Sequence, residues 1–156
     1  MRKQNLLFLL FCSVAGFVLN FIWEWFQCRP FFRHIDSKPT AGSMLVATIG
    51  DVALLMIVLM LISLVTRRSS WFFEDFSLHV AVVIVSVSLL LAILVEAFAV
   101  GTSRWSYTEA NPTVPVLGIS ILPILQAPII NFVSFWISKQ IILAFRKGET
   151  QSTEAL

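Results

Sequence analysis

Charge is scarce in this chain. Only 13% of its 156 residues are Asp, Glu, Lys or Arg, against 58% that are hydrophobic, whereas a soluble domain carries charge on roughly a quarter of its residues. Water is therefore not its principal solvent, and an ordinary soluble domain is excluded. The formal net charge is only +2. Its basic residues fall in short clusters between apolar runs rather than in one stripe, so no nucleic-acid partner is expected. Histidine is limited to His34, in a loop, and His79, at the end of an apolar run on the opposite side of a bilayer. No helical His/Glu ligand pair exists either, so neither a metal nor another cofactor is expected.

Cysteine is limited to Cys12 and Cys28. Both fall on one predicted helix, where a rise of about 1.5 Å per residue separates them by roughly 24 Å. They cannot pair, which disfavours a four-helix thiol oxidoreductase built on a close cysteine pair. Gly-x-Ser-x-Gly and a phosphate-cradling glycine loop are both missing. Ser43, Ser103 and Ser106 have no histidine placed to activate them.

What the chain does have is four long apolar runs, about Asn5 to Gln27, Met44 to Val65, Leu78 to Val100 and Leu117 to Ala144. Each is long enough to cross a hydrocarbon core, which takes roughly 20 residues of helix. They are continuous rather than alternating, so helices are expected and barrel strands are not. Met1-Arg2-Lys3 followed by apolar residues has the look of a signal peptide, but the run continues to Phe26 and reads as an uncleaved helix. The expected fold is all-α, a polytopic membrane bundle of four transmembrane helices over 1–145, followed by a polar, disordered cytoplasmic tail over 146–156.

Lysine and arginine in short loops set orientation. Arg2, Lys3, Arg67, Arg68, Lys139, Arg146 and Lys147 lie on one side, against Arg29, Arg33, Lys38 and Arg104 on the other. Seven against four places both termini in the cytoplasm. All five tryptophans fall near predicted span ends, as interfacial indoles do.

A carboxyl inside lipid is costly, about 2.5–3.5 kcal/mol on insertion scales, and calls for a reason. Glu24, Asp51 and Glu96 are all expected in the outer half of the bilayer, because the second span runs inward while the first and third run outward. The inner half has no acid. Asn20, Glu24 and Gln27 follow i, i+4, i+7 spacing and form one polar stripe on the first helix. Gln126 sits between Pro123 and Pro128, where lost backbone donors predict a kink or break. Arg104, Trp105, Tyr107, Glu109 and Asn111 crowd the third loop.

Bland readings compete with each of these. Glu24 can snorkel or pair with Arg29. Asp51 can pair structurally with Asn20, Gln126 or an arginine, and Gln126 can act as interhelical glue. Trp105 and Tyr107 can be interface anchors.

Asn20-x-x-Trp23-Glu24-x-x-Gln27, Gly50-Asp51-Val52, Glu96 with Arg104-Trp105-x-Tyr107, Pro112, Pro115, Gly118 and Pro123-x-x-Gln126 together resemble a family of uncharacterised bacterial four-helix integral membrane proteins. This chain has Asn111 where family members often have Met, and Ala127 where they often have Trp. The resemblance implies a bacterial inner-membrane location and no particular reaction.

The favoured expectation is a small outward-facing polar pocket made by Glu24, Asp51, Glu96 and Gln126, with Asn20 and Gln27 beside them and Arg104, Trp105 and Tyr107 capping it. Its partners would be membrane lipids and a polar or lipid-like ligand. An enzyme would use Glu24, Asp51 or Glu96 as acid and base on a lipid or isoprenoid substrate. A small proton- or cation-coupled transporter is the second class, and an accessory subunit, homo-oligomeric or bound to another membrane protein, is the third.

Overall fold

The structure, a computed structural model, describes residues 2–34, 39–67, 71–73 and 77–154. Helix α1 spans Arg2–Phe31, α2 Ala41–Thr66, α3 Leu78–Gly101 and α4 Ile121–Glu154. All four are long and apolar enough to cross a membrane, which makes this a multi-pass membrane protein. Lipid offers a backbone no hydrogen-bonding partner, and a continuous helix answers that by satisfying its own N–H and C=O groups.

Local chemistry sets the boundaries. Thr40 caps α2 through a reciprocal box with Ser43, the Ser43 N–H donating to Thr40 Oγ1 at 3.1 Å and the Thr40 N–H to Ser43 Oγ at 2.9 Å. Such a box satisfies two of the donors that a helix start leaves open. Ser77 caps α3 by accepting from the Val80 N–H. Helix α4 begins at Ile121 rather than Leu117. Gly118 takes a left-handed φ of 63° there, and Thr113 and Ser120 bridge across the turn it makes. Glycine adopts that φ without steric penalty.

The expected break near Gln126 is not formed, since α4 is one helix through that residue. Pro123 lies in its first turn, where backbone donors have no intrahelical acceptor anyway. Only Pro128 removes an intrahelical bond. Lys38 and Arg68, two of the residues used for orientation, lie outside the described residues. The 146–156 segment, polar in composition, continues α4 as helix as far as Glu154.

The helices alternate in direction. Helix α1 packs between α2 and α4, and α3 lies against α4. At the end of the bundle that holds the termini, Phe8, Trp71, Phe72 and Phe135 form an aromatic plug. The Phe8 and Phe72 rings stack at 3.9 Å, and Trp71 meets Phe135 edge-on at 5.5 Å. Trp71 is buried and donates to Ser63 Oγ at 3.0 Å, so it is a core residue and not an interfacial anchor.

At the opposite end the two loops pair. β1 (Phe32–His34) and β2 (Trp105–Tyr107) form a two-stranded antiparallel sheet in which Phe32 faces Tyr107 and His34 faces Trp105. The loop after β2 also clasps the end of α1. Thr108 donates to Pro30 O and Phe31 O, and Asn111 Nδ2 donates to Phe31 O. This sheet closes one end of the bundle as a lid.

Candidate functional site

Beneath the lid, the polar stripe of α1 meets α4 and α2. Gln126 is the hub. Its Nε2 lies 3.0 Å from Asn20 Oδ1, 3.3 Å from Asp51 Oδ2 and 3.4 Å from Glu24 Oε1. One amide nitrogen with two hydrogens thus faces three acceptors on two other helices. Its Oε1 accepts from Gln27 Nε2 at 2.8 Å, and the same nitrogen donates to Glu24 Oε1 at 2.7 Å. Trp23 Nε1 donates to Gln27 Oε1 at 2.8 Å, Asn20 Nδ2 donates to Gly16 O at 2.9 Å, and the Cys28 thiol donates to Glu24 Oε2 at 2.7 Å. Gln27, Gln126 and Cys28 donate to the carboxylates, whereas Trp23 donates to Gln27 and Asn20 to the backbone of Gly16.

Asn20, Glu24, Gln27 and Gln126 are buried, and Asp51 is half-buried. Glu24 neither snorkels to the surface nor pairs with Arg29. The Arg29 guanidinium instead lies 3.8 Å over the Trp25 ring. No lysine, arginine or histidine among the described residues pairs with Glu24, Asp51 or Glu96. Two carboxylates joined through one amide in a buried setting call for positive charge that no described residue of the chain supplies, such as a proton or a ligand's cation.

Glu96 anchors a second, adjoining group. Tyr107 Oη donates to Glu96 Oε1 in a short hydrogen bond, and Trp105 Nε1 lies 3.5 Å from the same oxygen. Tyr107 Oη in turn accepts from the Ser120 N–H at 3.0 Å. Burial, reinforced by the Glu96 bond, pushes the Tyr107 hydroxyl up from its ordinary pKa of 10.0. Trp105 and Tyr107 are therefore not free interface anchors but hold the lid to α3. Glu24 is near enough for its charge to act on both Asp51 and Glu96, so the two groups form one region.

Of the residues expected at the site, Asn20, Glu24, Gln27, Asp51 and Gln126 are joined directly, and Glu96, Trp105 and Tyr107 border them. Arg104 is not brought in. It is exposed, with its guanidinium 5.3 Å from the Phe98 ring. Ser103 turns the chain with a left-handed φ of 54° just before it. Sequence reasoning missed Trp23 and Cys28 as members, although each lies four residues from its partner, the spacing that makes helix neighbours. It also missed Ser120, whose backbone contact carries no signal in composition.

Two further features surround the cluster. A groove of about 480 Å³ runs between α1 and α4, almost wholly apolar, with Trp23 and Gln27 in its wall. Along the rest of α4, Asn131, Ser134, Ser138 and Lys139 are buried. Asn131 Nδ2 donates to Ser88 Oγ of α3 at 2.9 Å, and the Ser138 hydroxyl donates to Ser134 O at 2.7 Å. Among the described residues no group of His, Cys, Asp and Glu is arranged to hold a metal ion.

The chain matches no known protein family, no curated protein and no solved structure.

Proposed function

We propose that this protein binds a polar or lipid-like ligand in an outward-facing intramembrane pocket at the sheet end of the bundle, with Glu24, Asp51, Gln27 and Gln126 receiving the polar part. One observation carries the reading: Gln126 gathers Asn20 and Glu24 of α1 and Asp51 of α2 around a single amide, with no cation of the chain among the described residues to balance the acids. Such an arrangement favours a ligand that brings hydrogen-bond donors or positive charge. In an enzymatic version, one carboxyl would act as base and the other as acid on a lipid or isoprenoid substrate.

The setting we propose is a bacterial inner membrane with cytoplasmic termini. The excess of basic residues on the terminal side and the motif resemblance support it.

A transport reading has one observation in its favour. Buried polar side chains continue along α4 through Asn131, Ser134 and Ser138 to Lys139, away from the acids. An accessory-subunit reading draws less support, because Asn20, Glu24, Gln27 and Gln126 turn inward rather than toward a partner.

Mass spectrometry of the gently extracted protein tests the proposal. A lipid-like ligand is expected on the wild type and is expected to be lost from Glu24→Gln and Asp51→Asn with folding intact. Equal retention by all three proteins would reject the pocket. Loss of proton or cation flux in the same variants, without any change in bound ligand, would shift the assignment to transport.

A further inference from the structure

The groove between α1 and α4 and the acid cluster share a wall. On α1, Ile22 and Phe26 line the groove, and Trp23 and Gln27 follow around the helix. Asn20 and Glu24 come next, on the far side of Gln27, as the 100° step of a helix requires. Gln27 is thus the partition. Its Nε2 points away from the groove onto Glu24 Oε1, 2.7 Å distant, where an N–H donor of an incoming head group would sit.

The lid lies over the sheet end against α1 and α3, while the groove is open at the side. Phe26 is 73% exposed, and Ile22 and Ile129 are each about half exposed. These residues lie within membrane-spanning segments, so what meets them is hydrocarbon rather than water. Arg29 continues the stripe of Ile22 and Phe26 at i, i+4, i+7, one turn closer to the sheet end. Its exposed guanidinium lies against the Trp25 ring and keeps donors for an anion. In order along one face of α1, the surface offers an apolar trough and then a cation, with uncompensated carboxylates to the side.

From this order we propose that the ligand is a bilayer lipid whose head group carries a phosphate and a protonated amine, taken up sideways through the α1/α4 groove. Its chain lies along Ile22, Phe26, Ile129 and Val133, its ammonium displaces the Gln27 amide to reach Glu24 and Asp51, and Arg29, on the opposite edge of the trough, supplies positive charge that draws the anionic phosphate toward the site. The inference rests on the ligand-binding reading and adds the class of ligand and its route. A lipid with only an anionic head would satisfy Arg29 and leave the carboxylates uncompensated. A helix from a second copy is the competing occupant of the trough, and the test separates it from a lipid.

The full-length protein in nanodiscs of equimolar phosphatidylethanolamine and phosphatidylglycerol provides the test, read as the lipids retained after release into the mass spectrometer. The wild type should retain the ethanolamine lipid over the glycerol lipid by about fivefold or more, a ratio within reach of one added ion pair. Glu24→Gln combined with Asp51→Asn should bring that ratio to about one while lipid is still retained. Ile129→Trp, which fills the trough, should remove both lipids, with the Tyr107 absorbance titration reporting that the lid is intact.

A wild-type ratio near one overturns the head-group assignment. Preference that survives Ile129→Trp overturns the groove and leaves the pocket reading standing. Preference that survives the double acid replacement sinks the pocket reading as well. A dimer that Ile129→Trp dissociates identifies a second copy as the occupant and rejects the lipid.

Discussion

Tyr107 concentrates much of what the lid does into one hydroxyl, which donates to Glu96 and accepts from the backbone of Ser120. It is the only tyrosine in the chain, so its ionisation can be followed by absorbance without ambiguity. A folded-state pKa raised above the unfolded value stabilises the fold below the unfolded pKa, and that contribution is lost as pH rises above it. The lid should therefore hold through neutral pH, and tyrosinate should form only above pH 10, the ordinary tyrosine value. Glu96→Gln should move that midpoint down toward the ordinary value. An unshifted midpoint in the wild type would show that the hydroxyl is not held as described. Gln126 makes the complementary case. Gln126→Leu keeps the bulk but leaves Asn20 and two carboxylates without their shared donor, an expected loss of roughly 1–3 kcal/mol, measured as unfolding in SDS-containing mixed micelles. The stripe of Asn20, Glu24 and Gln27 was legible because helical periodicity fixes which residues share a face. Arg104 was not legible as an outward residue, since it follows Ser103, whose left-handed backbone has no period to read.

Among the elements, α1 comes against both α2 and α4 at Gly16, where it carries no side chain. A Cβ added at Gly16 would lie 2.9 Å from Leu55 Cδ1 of α2 and 3.7 Å from Ser134 Oγ of α4. Alanine there gains about 1 kcal/mol in helix propensity and meets only the terminal methyl of Leu55 closely, so Gly16→Ala should be nearly neutral. Gly16→Ile pushes a branched chain into both neighbours and should destabilise by about 1–3 kcal/mol. Adding Leu55→Ala should restore part of that loss, a coupling readable from a double-mutant cycle in the same unfolding assay. If Gly16→Ile is silent, the three helices do not approach as closely as described. The four spans were visible in the sequence because length and hydropathy alone specify them. The start of α4 was placed four residues too early, since Leu117 and Ile119 are apolar but belong to a turn made by Gly118. The two three-residue strands are too short to leave a pattern, and β1 and β2 pair across some 70 residues.

For the molecule as a whole, the four spans were legible in the sequence, while which neighbouring group each acid would join was not. Glu24, Asp51 and Glu96 were expected at a common level, and they do share one region, yet Glu96 is committed to the lid while Glu24 and Asp51 are joined through Gln126. That junction has a consequence for how the protein is made. Gln27 and Gln126 are hydrogen-bonded across 99 residues of chain, and Asn20 and Gln126 across 106. At a synthesis rate of about 5–20 residues per second, the amides and acid of the first helix wait roughly 5–20 s for the segment that completes them. Chains truncated before Ile121 should therefore be degraded several-fold faster than full-length ones in a pulse-chase measurement, and Asn20→Leu with Glu24→Leu should lengthen the life of the truncated form. The interval between first and last helix is a period of exposure to the cell's quality control, set by where along the message the hub residue is encoded.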